Sequence, residues 1–225
     1  MLRLIAAQIR VVFFQQSVVS AFIFIIFMSL QVLLVGFGKN DGLVLKPYNA
    51  DQQLITWTMS HLPWLLSYLL PSIWLFPTIE RLRNFITVQV EMRLSGRLHY
   101  TLASYATILF TSTVSTLSFS FSPILLFHQP LTSWELIVWI FSITTASTIF
   151  FCFAMVINET FALIFYLSGL ILTASMHQPY LVITSLHQPT LFTLTNLVSN
   201  LVYFIGLFFV LLLIFKRRRC NLGLA

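Results

Sequence analysis

The sequence is poor in charged residues and in cysteine. Only 8% of its 225 residues are Asp, Glu, Lys or Arg, whereas 58% are apolar and Phe alone occurs 23 times. Soluble domains carry about 25% charged residues, so these few charges cannot cover a water-exposed surface. The two cysteines, Cys152 in an apolar run and Cys220 behind a basic cluster, do not make a disulfide framework. We therefore predict an all-α integral membrane protein.

Residues that enzymes use inside membranes are also scarce. Asp occurs only as Asp41 and Asp51, which excludes a pair of intramembrane aspartates. Neither His-Glu-x-x-His nor a Gly-x-Ser-Gly turn is present, since Ser168 lacks the required preceding glycine. The nucleotide-binding loop G-x-x-x-x-G-K-[ST] is absent as well. We expect the chain itself to be no enzyme and to have no catalytic or cofactor-binding residue.

A metal site is not expected either. The tripeptide His-Gln-Pro occurs at residues 128–130, 177–179 and 187–189. Its imidazoles could bind a metal, but no Cys, Asp or Glu lies nearby to complete a set of ligands. Proline next to a polar residue is also common in turns, and a turn is the interpretation we favour.

Six apolar stretches are long enough, or nearly so, to cross a membrane, which takes about 20 residues. None of them contains Lys, Arg, Asp or Glu. They are residues 17–37, 55–78, 99–122, 136–157, 161–176 and 191–215. The sequence thus predicts six transmembrane helices in a single domain spanning residues 1–225, with the short fifth stretch open to a half-crossing.

Basic residues predict the orientation, because Lys and Arg concentrate on the cytoplasmic side. Ten of the 12 lie before the first span, between the second and third, or after the sixth. They are Arg3, Arg10, Arg81, Arg83, Arg93, Arg97, Lys216, Arg217, Arg218 and Arg219. Only Lys39 and Lys46 would lie outside. We expect a multi-pass protein of the cytoplasmic (inner) membrane with both termini in the cytoplasm.

Residues 1–15 predict a helix lying in the cytoplasmic interface. Leu2, Ile5, Ile9 and Phe13 share one helical face, and Arg3 and Arg10 lie on another. The simpler interpretation is a basic flank that only fixes the orientation.

The spans contain prolines and hydroxyl groups but no acidic side chain. Pro63, Pro71 and Pro77 in the second span predict a bent helix, or a hinge beside a pathway. Hydroxyl groups recur at helical spacing in the third and fourth spans, where they favour helix packing or line a substrate path. They are Ser104, Thr107, Thr111, Ser115, Thr144, Ser147 and Thr148. Without ionisable carboxylates in the spans, we expect no proton or sodium coupling.

The segment 79–98 is too long for a simple connection, which takes about two to eight residues. It contains both charge signs with apolar residues between them. Strict alternation from Ile86 to Ser95 would indicate a strand, but a lone strand has no partner, so we favour a helical extension followed by a short docking helix. The candidate docking residues are Glu80, Arg81, Arg83, Phe85, Val88, Glu91, Met92, Arg93 and Arg97. The alternative is a positive-inside signal with no partner.

This layout resembles the permease subunit of an ABC-2-type (type V) exporter. Such permeases have an interfacial helix, six spans, a charged segment after the second span, and a re-entrant outer segment, for which residues 176–190 are the candidate. The resemblance implies a separate ATPase subunit that binds ATP and docks on residues 79–98. It also implies a homodimer or heterodimer of permeases in membrane lipid, with no role for nucleic acid. The exported substrate would be a peptide, drug, lipid or glycan.

Three other classes stay open. The chain could be a non-transporting membrane interaction or immunity protein, a small-solute channel, or an intramembrane enzyme. Co-purification with a nucleotide-binding protein would separate the exporter from all three.

Overall fold

The computed structural model describes the backbone of residues 62–85, 97–127, 133–175 and 194–221, together with ten single positions closer to the N-terminus. These positions are residues 5, 6, 8–10, 22, 25, 26, 29 and 58. Within this part of the chain the structure is helical and contains no strand. The all-α class predicted from the sequence is therefore confirmed for the residues described.

Five helices account for the continuous segments. They are α1 (Leu62–Phe85), α2 (Arg97–Phe127), α3 (Ser133–Val156), α4 (Glu159–Ser175) and α5 (Leu194–Asn221). Each overlaps one of the predicted spans from the second to the sixth. The main difference is at the charged segment, which α1 enters as far as Phe85 and α2 enters from Arg97.

Three prolines do not interrupt α1. Pro63 lies in the first turn, where a missing backbone donor has no cost. Pro71 lies in the helix interior, and the nearby carbonyl of Tyr68 accepts the Tyr166 hydroxyl at 3.1 Å and the Ser72 hydroxyl at 3.3 Å. An N–H at position 71 would bond to the carbonyl of residue 67, so these hydroxyls strengthen the turn beside the proline and do not replace its missing donor.

A two-residue connection joins α3 to α4. The Asn158 side-chain oxygen accepts the backbone N–H of Thr160 at 3.0 Å, and its carbonyl accepts that of Ala162 at 2.9 Å. Asn158 is thus the N-cap of α4. Glu159 in the first turn adds a negative charge at the positive end of the helix dipole. The two helices form a tight antiparallel hairpin.

Contacts between helices define their directions. Tyr68 contacts Ser142 at 3.0 Å and Phe76 contacts Phe150 at 5.5 Å between ring centroids. Both pairs are 74 residues apart, so α1 and α3 run parallel in one register.

The directions of α2 and α5 follow from Tyr105. This residue is near the start of α2 but lies beside Cys152 near the end of α3, so α2 runs antiparallel to α3. In α5, Phe204 contacts Phe141 of α3, and Phe208, one turn further on, contacts Tyr105. Since Tyr105 lies beside a later turn of α3 than Phe141, α5 runs parallel to α3. Helix directions alternate along the chain from α1 to α5.

The helix α3 is central and α5 is peripheral. α3 packs against α1, α2, α4 and α5, and 67% of its apolar window Leu136–Val156 is buried. In α5 only 17% of the window Val198–Lys216 is buried. These two helices are long and apolar enough to cross a membrane, and shorter apolar stretches occur at Leu65–Phe76 and Glu159–Leu172. The prediction of six spans goes beyond this finding.

Candidate functional site

Two regions concern function: the charged end of the helix bundle and its polar interior. Because α1, α3 and α5 are parallel and α2 is antiparallel, the last turns of α1 and α5 and the first turn of α2 lie at one end. That end carries Glu80, Arg81 and Arg83 on α1 and Arg97 on α2. The basic run Lys216–Arg219 in the last turns of α5 adds to it. We call these residues the charged end.

The charged end brings together part of the predicted docking segment. Glu80, Arg81, Arg83 and Phe85 belong to α1, and Arg97 begins α2. The remaining docking candidates, Val88, Glu91, Met92 and Arg93, lie outside the described residues, as does the whole alternating stretch from Ile86 to Ser95. The docking assignment stays a prediction. The segment 176–190 and the three His-Gln-Pro triplets also lie outside the described part.

The N-terminal segment contacts the bundle through a polar side chain. Ile5, Ala6, Gln8, Ile9 and Arg10 are helical, and Gln8 is the buried member of this group. The Thr107 hydroxyl interacts at 2.9 Å with the Gln8 side-chain oxygen. Ile5 and Ile9, which share the apolar face of the predicted interfacial helix, are half-buried.

Hydroxyl groups fill the interior between α2 and α3, as their helical spacing predicted. The seven Ser and Thr residues named from the sequence are all buried. The structure adds Thr101, Ser112, Thr116, Ser142 and Thr145 to this polar interior. Small side chains allow apolar helices to approach closely, so packing accounts for much of this pattern.

Many of these hydroxyls are bonded within their own helix. Thr111 donates to the carbonyl of Thr107 at 2.8 Å, and Thr148 donates to that of Thr144 at 2.7 Å. Such bonds to the preceding turn satisfy the hydroxyl without a partner helix. Four serines differ, because within the described part of the chain their buried hydroxyl oxygens have no hydrogen-bond partner. They are Ser104, Ser112, Ser115 and Ser147.

Three tyrosines connect helices through hydrogen bonds. Tyr68 of α1 pairs with Ser142 of α3, and Tyr166 of α4 donates to the backbone of α1. Tyr105 of α2 donates to the Phe204 carbonyl of α5, and its ring meets that of Phe204 edge-on at 4.7 Å. Each such bond contributes about 1 kcal/mol. No sequence pattern distinguishes these three tyrosines from the other four of the seven present.

Asn200 of α5 is the second feature that sequence reasoning missed. It is 1% exposed, and among the residues described neither its amide nitrogen nor its amide oxygen has a partner. Leaving a buried polar group unpaired costs about 1–3 kcal/mol. The signal in the sequence was its spacing, because Asn200 lies four and eight residues before Phe204 and Phe208 and thus shares their packed face.

The arrangement favours uncharged hydrogen bonding. Over the described ranges, no group of three or more His, Cys, Asp or Glu side chains lies close enough to hold a metal ion. What the interior of the described part offers is hydroxyls, the carboxamides of Gln8 and Asn200, and aromatic rings, which can bind neutral polar groups.

Comparisons with protein-family models, with curated proteins and with solved structures give no match for this chain. The function is therefore argued from the residues and their arrangement.

Proposed function

We propose that this chain is the transmembrane subunit of an ATP-driven exporter of the ABC-2 type, with a separate ATPase docking at the charged end. The main support is the shared location of residues from the predicted docking segment. Glu80, Arg81 and Arg83 on α1 and Arg97 on α2 flank residues 86–96 at the same end of the bundle. Both chain segments leading to the predicted docking helix thus emerge side by side.

The same helix ends support the proposed orientation. The charged end also includes Lys216–Arg219, and clusters of Lys and Arg favour the cytoplasmic side of a membrane. An ATPase works where ATP is present, so docking and orientation require the same side. In this proposal residues 17–37 and the helices α1 to α5 form six spans, two such permeases associate, and ATP hydrolysis takes place in the partner.

The docking test compares the same substitution, Met to Asp, at two positions. The tagged chain is purified with its membrane lipids from cells of its source, and ATP hydrolysis and the bound nucleotide-binding protein are measured. Met92→Asp places a charge among the apolar residues expected to anchor the partner, since such residues carry most interface energy. It should abolish recovery of the ATPase while leaving membrane insertion intact. Met176→Asp, in the predicted outer segment, is the control and should leave recovery of the ATPase unchanged.

The alternative of a non-transporting interaction protein makes the opposite forecast. No ATPase would be recovered with the unaltered chain, or it would be recovered equally with Met92→Asp. Either result rejects the exporter proposal. The hydrogen bonding of many interior hydroxyls within their own helices is the observation that favours this second candidate.

A further inference from the structure

Asn200 is a polar residue on the otherwise apolar packed face of α5. The residues that share this face are Phe204, Phe208, Leu211 and Phe215, all apolar and packed into the core. A carboxamide in such a place is costly when its donor and acceptor are unpaired. Buried groups of this kind call for a ligand, a bound water or another functional reason.

The position of Asn200 follows from its neighbour one turn along. Phe204 contacts Tyr105 of α2 at 4.7 Å and Phe141 of α3 at 5.7 Å between ring centroids. We call Tyr105, Phe141 and Phe204 the aromatic cluster. Asn200 thus lies at the junction of α2, α3 and α5, about 6 Å from this cluster toward the N-terminus of α5.

Ser112 of α2 is a second buried polar residue near this junction. It is fully buried, and its hydroxyl is also unpartnered among the described residues. Seven residues separate it from Tyr105, so it shares that residue's face about 10 Å further along. Because α2 and α5 are antiparallel, Ser112 and Asn200 both lie on the same side of the aromatic cluster. Side chains on a helix lean toward its N-terminus, so these two groups lean toward each other.

The peripheral position of α5 gives a route to this junction. Only 17% of its apolar window is buried, against 67% for α3, so most of the surface of α5 faces away from the bundle. Its outer side exposes Val202, Ile205 and Phe209. An apolar chain could lie along these side chains while a polar head reaches inward.

We propose that the junction of α2, α3 and α5 is a binding site for an amphiphile with an uncharged head that carries hydroxyl or amide groups. The head bonds to Asn200 and Ser112, on the side of the aromatic cluster nearer the N-terminus of α5. The apolar chain lies along the outer surface of α5. A charged head would find no counter-charge here, because these helices carry charge only near their ends. The site requires no ATPase and stands apart from the exporter proposal.

The test measures melting temperature in phosphatidylcholine nanodiscs. Decyl glucoside, decyl sulfate and decyltrimethylammonium are added below their micelle concentrations. The glucoside should raise the melting temperature saturably, and the two charged amphiphiles should not. An equal rise with all three, or a larger rise with the cation, overturns the proposal.

The variants separate binding from packing. Without ligand, Asn200→Leu should melt higher than the unaltered chain, because it removes an unpaired buried amide, yet it should show no rise with glucoside. Ser112→Ala should weaken the apparent affinity about tenfold, the loss expected for one hydrogen bond. Thr113→Val is the matched control, since that hydroxyl bonds to the Leu109 carbonyl of its own helix. A lower melting point for Asn200→Leu without ligand, or an undiminished rise in it or in Ser112→Ala, contradicts the site.

Two sources of the ligand are distinguished in the same assay. Nanodiscs that contain a neutral diacyl glycolipid should already melt higher and respond no further if the natural ligand is a bilayer lipid. A response to free glucoside that persists in those nanodiscs indicates a single-chain amphiphile. Both outcomes support the site.

Discussion

The Tyr166 hydroxyl donates a hydrogen bond to the backbone carbonyl of Tyr68, 3.1 Å away. This bond attaches α4 to α1 next to Pro71, where the helix lacks a backbone donor. The backbone of α1 beside Pro71 and the position of the α3–α4 hairpin are thereby coupled.

Tyr166→Phe should therefore destabilise the fold by about 1 kcal/mol, the usual value of one buried hydrogen bond. Tyr203→Phe is the control, since Tyr203 is exposed on α5, and it should change stability by much less. Thermal melting of both variants in the same lipid is the measurement. Equal melting temperatures for the two would show that the Tyr166 bond does not hold the helices.

Asn158→Ala should remove the N-cap of α4 and cost about 1 kcal/mol. Asn158→Asp keeps an oxygen acceptor for the Thr160 N–H and should retain most of the stability. Hydrogen exchange in the first turn of α4 is the sensitive readout, and it should accelerate in the alanine variant alone. Faster exchange in both variants would contradict the capping role.

Thr107→Val should release the N-terminal segment from α2, because the Thr107 hydroxyl contacts the Gln8 side chain. Protease cleavage near residue 8 should become faster, while the α2 helix itself stays intact. Thr113→Val again serves as the control, because its hydroxyl bonds only to its own helix among the contacts described. Unchanged cleavage in Thr107→Val would show that this contact does not anchor the segment.

The orientation can be tested with single cysteines at Ser95 and Ser185 in a background lacking Cys152 and Cys220. An impermeant thiol reagent added to intact cells should label position 185 and leave position 95 unlabelled, because ten of the 12 basic residues favour the cytoplasm on the Ser95 side. Labelling of position 95 from outside would reject the topology.

Transport should depend on ATP and should not need an ion gradient. The apolar spans lack acidic side chains, and proton or sodium carriers place such groups within the membrane. The measurement is uptake into inverted vesicles with ATP and an uncoupler present. Transport that continues without ATP and stops with the uncoupler would contradict the proposal.

The helices could be predicted largely from composition and length, because runs of apolar residues without charge have few alternatives to a helix. The burial of Thr107, Thr111 and Thr148 also followed from their spacing. The hydrogen-bond partners of the tyrosines could not be predicted from spacing. Which tyrosine reaches which carbonyl, as Tyr105 reaches Phe204, depends on how helices far apart in sequence pack. Periodicity describes one helix at a time and contains no information about its neighbours.

Asn200 shows the same limit more sharply. Its spacing with Phe204 places it on the packed face, but spacing does not predict whether its amide finds a hydrogen-bond partner there. Only the packed structure shows that, among the residues described, the Asn200 carboxamide has no hydrogen-bond partner.

The two-residue connection between α3 and α4 has a consequence for biosynthesis. A link this short reaches at most about 7 Å, far less than the roughly 30 Å of a hydrocarbon core. In the proposed topology this link lies on the cytoplasmic side, where the ribosome is, so α4 emerges directly beside the end of α3. The two segments can therefore pair as a hairpin as soon as α4 leaves the ribosome, and no other span can come between them at this end.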